Sequence, residues 1–361
     1  MVAVDAPRDR PEGDRLEGDR RHVGRVLCLL LVLLLALVAI LSLGHGASGV
    51  SAPRVLADWL AGRQIAPTDR IVLVDIRLPR LLTGILVGAG LAVSGAVMQG
   101  LFRNPLADPG LLGVSAGASL GAISGIVLGG MLPAAILSFT GWHLVPLAAF
   151  GGGWLAMLLL YGISTRRGRT SVATMLLAGI ALAAMIGALS GLIVYYANDS
   201  QLRDLTFWGL GSLAGASWTK ILAAGPLIAA ALLAAPFLAR GLNGLALGEA
   251  AAAHVGIRVQ RVKAVAILTA AAATGASVAI SGGIGFVGIV VPHLLRLLTG
   301  PDHRWLLVNS ALLGASVLVC ADMVSRTVIA PAELPIGIIT AMIGGPFFMW
   351  VLLSNRRVID L

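Results

Sequence analysis

The sequence predicts an all-α polytopic membrane protein with ten transmembrane helices, and three observations carry that prediction. Ten stretches are apolar over roughly 20 residues, the length that crosses a hydrocarbon layer at about 1.5 Å per residue. They cover 26–43, 81–98, 111–129, 144–163, 172–196, 221–239, 264–281, 284–299, 306–326 and 336–353. The 361 residues are 58% apolar and 12% charged, with a mean hydropathy of +0.93, so little chain remains for a water-soluble domain. The charges gather in the short connections, and a segment inside lipid satisfies its own backbone groups only as a helix.

The net charge of +9 marks topology rather than nucleic-acid binding, because the arginines sit between spans and form no single basic face. With both termini cytoplasmic, the 26 Lys and Arg divide 18 inside against 8 outside, the direction of the positive-inside rule.

Taken in order, residues 1–22 mix Asp, Glu and Arg with Pro and Gly and have little to bury, which reads as a disordered cytoplasmic tail. A single membrane domain over 23–361 follows. Span 26–43 has basic residues before it and small ones after it, as a signal peptide does. Its apolar run exceeds the usual ~7–15 residues, so it is expected to stay as the first helix. The prolines of 103–109 force a rigid turn, which Arg103 and Asp108 would close by charge. The third span carries glycine at 113, 117, 121, 125 and 129, a bare stripe that lets a second helix approach closely.

The second and seventh spans share G-A-x-x-A-x-S-G, at Gly88–Gly95 and Gly275–Gly282, while running in opposite directions, the trace an inverted repeat leaves. Between spans six and seven, the segment 240–263 interrupts the apolar pattern. Leu247, Ala251 and Val255 stand at i, i+4 and i+8 of a short helix that Gly256 would end. Such a helix is either a plain connection or a grip for another chain. Cys28 and Cys320 fall inside spans and read as packing residues.

Catalytic chemistry finds little support. Gly283-Ile-Gly-Phe-Val-Gly288 spells G-x-G-x-x-G but lacks the strand and βαβ unit of a dinucleotide site. No G-x-x-x-x-G-K-[ST] loop occurs, and the only lysines are Lys220 and Lys263, so the chain is not a P-loop ATPase. There is no H-E-x-x-H, no clustered metal ligands, and no charge in mid-span of the kind an ion-coupled carrier uses. Asp322, late in the ninth span, is read as the i,i+4 partner of Arg326. Energy for transport must then come from another chain.

Six motifs in fixed order carry a resemblance. They are Ile76-Arg-Leu-Pro-Arg80, the run Gln99 to Ser115 (QGLFRNPLADPGLLGVS), Ala246-Leu-Gly-Glu249, the run Gly285 to His293 (GFVGIVVPH), Ala321-Asp322 with Arg326, and Glu333-Leu-Pro-Ile-Gly337. From about residue 70 to 353 the chain resembles the permease subunits of ABC importers for iron-siderophores, haem and cobalamin. The resemblance implies a homodimer of ten-span, inverted-repeat bundles of the type II importer class in a bacterial inner membrane, with the substrate path between the copies. It also implies two cytoplasmic ATPases, which would hold the ATP and Mg, and a periplasmic binding protein. It places no cofactor on this chain. An ion-coupled carrier and a membrane enzyme are the other classes, and both lack their usual residues here.

The resemblance further implies that Arg77, Arg80 and Arg326 dock the binding protein through its carboxylates, where interfacial snorkelling is the plain alternative. Leu247, Gly248, Glu249, Ala252 and Gly256 would couple to the ATPase, although an acid at a helix N-terminus also serves the dipole. Thr170, Ser171, Val172 and Ala173 fall at the family's cytoplasmic gate. His45, His143, Tyr195 and Tyr196 lie near the outer mouth, where they either ligate haem iron or mark the membrane boundary. The stretches RLPR and GLFRNPLADPGLLGVSAGA look closest to haem permeases, so haem is the expected cargo, with a ferric siderophore or cobalamin as the alternative.

Overall fold

A computed structural model describes residues 21–44, 54–55, 57–58, 61–63 and 66–354. The tail expected over 1–22 lies outside these residues up to position 20, as does His45. The helices are α1 (Arg21–Gly44), α2 (Pro67–Phe102), α3 (Val114–Val127), α4 (Ala134–Thr140), α5 (Leu144–Ser164), α6 (Val172–Tyr195) and α7 (Asp199–Leu210). They continue with α8 (Trp218–Ala246), α9 (Glu249–His254), α10 (Val259–Ser281), α11 (Val287–Thr299), α12 (His303–Ser325) and α13 (Ile336–Ser354). A small antiparallel hairpin, β1 (Thr165–Arg166) with β2 (Arg169–Thr170), joins α5 to α6.

Among the described residues seven helices, α1, α2, α5, α6, α8, α10 and α12, are long and apolar enough to cross a membrane, and the shorter apolar α3, α11 and α13 coincide with the other three expected spans. The chain is a multi-pass α-helical membrane protein. Its hub is the pair α2 and α10, the most deeply buried helices of the bundle.

Where α2 was expected to begin at 81, it starts at Pro67 and passes through a widened, π-type turn over Ile71–Arg77. Two breaks also shorten expected spans. Arg103 closes α2 in the left-handed conformation (φ 52°), and the irregular stretch after it delays α3 to Val114. Between Gly282 (φ 72°) and Phe286 (φ 68°) the chain leaves helix before α11. In the first break Asp108 does not close on Arg103. Its Oδ1 instead accepts the Gly110 N–H at 2.6 Å, and the side chain lines a cavity with Leu91 of α2, Thr274 of α10 and Gly288 of α11. A residue that reads as part of a surface turn thus faces a cavity inside the bundle.

Small residues let these helices meet backbone to backbone. Gly117 packs on Gly152 and Ala156, and Gly121 on the Ala148 carbonyl, so the stripe of α3 fits α5. Gly88 meets Gly314 of α12 and Gly95 meets Gly288 of α11. The two G-A-x-x-A-x-S-G segments touch each other. Ser94 Oγ lies 2.7 Å from Thr274 Oγ1 and donates to the Ala270 carbonyl at 3.0 Å, while Gly90 faces Ser277. That descending register makes the crossing antiparallel.

Helix α1 packs on α12, with Leu31 and Val38 buried, Gly24 against Trp305, and the Asn309 amide donating to the Gly24 carbonyl at 3.3 Å. Helix α7 was not foreseen, because it is too polar for a span. Its signal was the capping box in which Asn198 and Gln201 satisfy each other's backbone N–H. Cys28 is half-buried, but Cys320 is exposed and so is not the packing residue its span position suggested.

Candidate functional site

At one end of the bundle three arginines converge. Arg80 Nε donates to Asp322 Oδ1 at 2.9 Å, while its Nη1 and Nη2 grip Glu333 Oε1 and Oε2 at 2.8 and 2.9 Å. A guanidinium is planar, so it can hold two carboxylates in this forked way. Arg326 makes the expected i,i+4 pair, its Nε 3.5 Å from Asp322 Oδ2, and donates to Ser42 Oγ at 2.8 Å. Arg77 donates to the Leu43 carbonyl.

Neither free docking side chains nor snorkelling ones describe this arrangement. Arg77 and Arg80 are buried, and α1, α12 and the Glu333 loop supply the partners that a buried charge requires. Among the described residues three guanidiniums and two carboxylates meet here, and Glu333 keeps 37% of its side chain exposed, so the cluster carries a net positive charge.

At the opposite end Glu249 is the first residue of α9, and its Oε1 lies 2.7 Å from Lys263 Nζ. Lys263 is buried, and the same amine donates to the Thr170 carbonyl at 2.8 Å. Gln260 Oε1, from the same helix α10, accepts the Thr170 N–H at 2.8 Å. The hairpin is closed by Arg167 (φ 50°) and Gly168 (φ 73°), the paired left-handed residues of a type I′ turn. Ser171 then caps α6 by accepting the Thr174 N–H at 3.3 Å, which sets Val172 and Ala173 in the first turn.

Glu249 and Thr170, expected in separate roles, are therefore joined through Lys263, a residue to which no role was assigned. Its signal was rarity, as one of two lysines in the chain. The apolar face expected on Leu247, Ala251 and Val255 is exposed throughout, but the expected coupling residue Ala252 is not. Leu247 and Val255 are 73% and 63% exposed, whereas Ala252 is fully buried near Gly244. Ala252 thus seats the helix on the bundle and offers nothing to a partner. Gly248 (φ 103°) and Gly256 (φ 82°) flank it in conformations that other residues enter only with strain.

Nearby, Asp302 caps α12, accepting the Arg304 N–H at 3.0 Å and the Asn243 amide at 2.7 Å. Partial burial pushes its carboxyl up. The two hydrogen bonds and the Arg304 and His303 charges outweigh that and hold it below the ordinary carboxylate range.

The expected mouth residues do not assemble. Tyr195 and Tyr196 are exposed at the end of α6 with their rings edge to face at 5.3 Å, whereas His143 lines a separate cavity. Among the described residues no three His, Cys, Asp or Glu gather where they could hold a metal ion.

The model of the FecCD transport family matches residues 33–354. The chain belongs to the FecCD transport family. It is 43% identical over 329 residues to the hemin transport system permease protein HmuU of Yersinia pestis, across 91% of this chain and 96% of that protein. It is 42% identical over 342 residues to the vitamin B12 import system permease protein BtuC of Shigella boydii, across 94% and 97% of the two chains. A solved structure described as an inward-facing metal-chelate type ABC transporter aligns with a TM-score of 0.79 at 33% identity, covering 91% of this chain and 99% of that one. This FecCD chain has the fold of a type II ABC importer permease and is a transport component rather than an enzyme.

Proposed function

We propose that this chain is the permease that passes haem across a bacterial inner membrane, as a homodimer with both termini in the cytoplasm. The observation that carries haem is the 43% identity to HmuU over nearly the whole of that protein. The 42% identity to BtuC makes cobalamin the second reading, with ferric siderophores in the same class of cargo.

In this reading a loaded periplasmic binding protein settles on the positively charged end formed by Arg77, Arg80 and Arg326. A cytoplasmic ATPase dimer grips Leu247, Gly248, Glu249 and Gly256, and the segment Thr170–Ala173 gates the inner end of the path. Tyr195 and Tyr196 stand at the outer mouth, and His143, on its own cavity, is left out of it. ATP-driven closure of the ATPases moves the α9 helices and shifts the dimer between outward and inward states.

The test is uptake by proteoliposomes holding the permease, its ATPase and its binding protein. Haem accumulation that requires ATP, followed by its Soret band, supports the reading. ATP-dependent uptake of cobalamin or a ferric siderophore with no haem uptake would replace the cargo and leave the transport role intact.

A further inference from the structure

A cavity of about 370 Å³ opens on the flank of the bundle between α5, α8 and α10. Its wall is apolar, made mainly by Pro146, Leu147, Phe150, Ala224, Leu227 and Ile280, and its polar lining comes from Lys220, His143, Thr140 and Thr219. Among the described residues no Asp or Glu lines it, and Lys220 Nζ has neither a carboxylate nor a hydrogen-bond acceptor. The flank around it is apolar and open, with Leu147 53% and Leu222 73% exposed on helices that cross the membrane.

Depth is set by the helix start. Lys220 stands in the first turn of α8, and its amine lies against the preceding loop, where a β-carbon on Gly215 would stand 3.1 Å from it. A cation in the first turn is opposed by the helix dipole, so the fold supplies neither a partner nor a favourable field for this amine. A lysine that merely snorkels needs no cavity beneath it. A small free anion would gain little from one lysine in water and nothing from the apolar wall. An anion carried on an acyl chain satisfies both parts.

We propose that this cavity binds an acidic phospholipid, its phosphate on Lys220 with the Thr219 hydroxyl beside it, and an acyl chain along Leu147, Phe150 and Leu227. The proposal does not depend on which cargo the permease carries.

The experiment places the full chain in phosphatidylcholine nanodiscs doped with a photoactivatable phosphatidylglycerol or, in parallel, a photoactivatable phosphatidylcholine. The wild type should be labelled in peptides covering 140–150 and 219–227, about fivefold more by the acidic probe, in keeping with one lysine near a membrane surface. That preference should vanish in Lys220→Gln, reverse in Lys220→Glu and persist in Lys220→Arg, with the melting temperature in pure phosphatidylcholine serving as the folding control. Equal labelling of the wild type by the two probes would overturn the proposal, and that comparison stands even where a variant fails to fold. So would undiminished preference in Lys220→Gln, or displacement of the label by haem or inorganic phosphate rather than by unlabelled phosphatidylglycerol.

Discussion

Lys263 Nζ stands 2.7 Å from Glu249 Oε1, and its other contact is the Thr170 carbonyl at 2.8 Å. The helix proposed to meet the ATPase and the strand proposed to lead into the gate therefore share one buried ammonium group. A displacement of α9 pulls on β2 through two charge-assisted contacts rather than through a flexible loop.

Lys263→Met should break that tie while sparing both proposed docking surfaces. Transport per ATP hydrolysed should fall about tenfold, the effect of losing roughly 1.4 kcal/mol of coupling. ATPase binding should hold, and Lys263→Arg should recover part of the loss. Measuring substrate uptake and phosphate release together in proteoliposomes separates uncoupling from simple inactivation. Unchanged stoichiometry in Lys263→Met would reduce the contact to packing.

Arg80→Met should destabilise the fold by up to about 3 kcal/mol, because it leaves the buried Asp322 carboxylate with only the 3.5 Å contact of Arg326. Arg80→Met with Asp322→Leu should recover only part of that, since Arg326 then loses its carboxylate. Glu333→Gln should cost less than about 1 kcal/mol, because this partner is 37% exposed and water replaces it. Thermal melting in detergent checks the order of the three, and equal losses would mean that Arg80 stabilises through volume alone.

The same cluster was legible in part. Arg326 with Asp322 could be read from a spacing of four, and the long apolar helices from apolar runs, because both are local signals. The closure of Arg80 on Asp322 and Glu333 spans more than 240 positions, and the Thr170–Lys263 contact 93. No periodicity reports such distances. Asp108 misled for a different reason, since a polar turn with two prolines looks the same at the surface as it does folded into the bundle. The widened turn at 71–77 was hidden because four of its seven residues, Ile71, Val72, Val74 and Ile76, are β-branched and do not signal helix.

Glu333→Gln should strengthen the binding protein's attachment, and Arg326→Gln should weaken it, if the excess positive charge of this end attracts carboxylates. Both effects should shrink as salt rises, because exposed charges are screened over about 8 Å at physiological ionic strength. Affinity in nanodiscs at two salt concentrations tests this. Matching shifts of one sign for both variants would exclude a charge-driven contact.

Asp302 adds a pH dependence. Its folded pKa is depressed, so its contribution is fully present above the ordinary carboxylate pKa near 4 and is lost as pH falls through the folded value. Below about pH 4 the melting temperature of the wild type should drop more steeply than that of Asp302→Asn, which keeps a capping oxygen without the charge. Parallel curves would assign the acid sensitivity elsewhere.

Gly95 and Gly288 meet as bare backbone where α2 crosses α11, just past the break that ends at Phe286. Interlocked side chains would tie any change in the angle of that crossing to a set of rotamer jumps, each with its own barrier. Here the glycines themselves carry no teeth, and the side chain that reaches across beside them is Gln99, whose amide donates to the Gly288 and Ile289 carbonyls at 3.4 and 3.3 Å. The bare backbone sets the distance of this crossing and the Gln99 amide sets its angle, so any swivel of the half-helix has to stretch only two long hydrogen bonds rather than unlock a row of side chains.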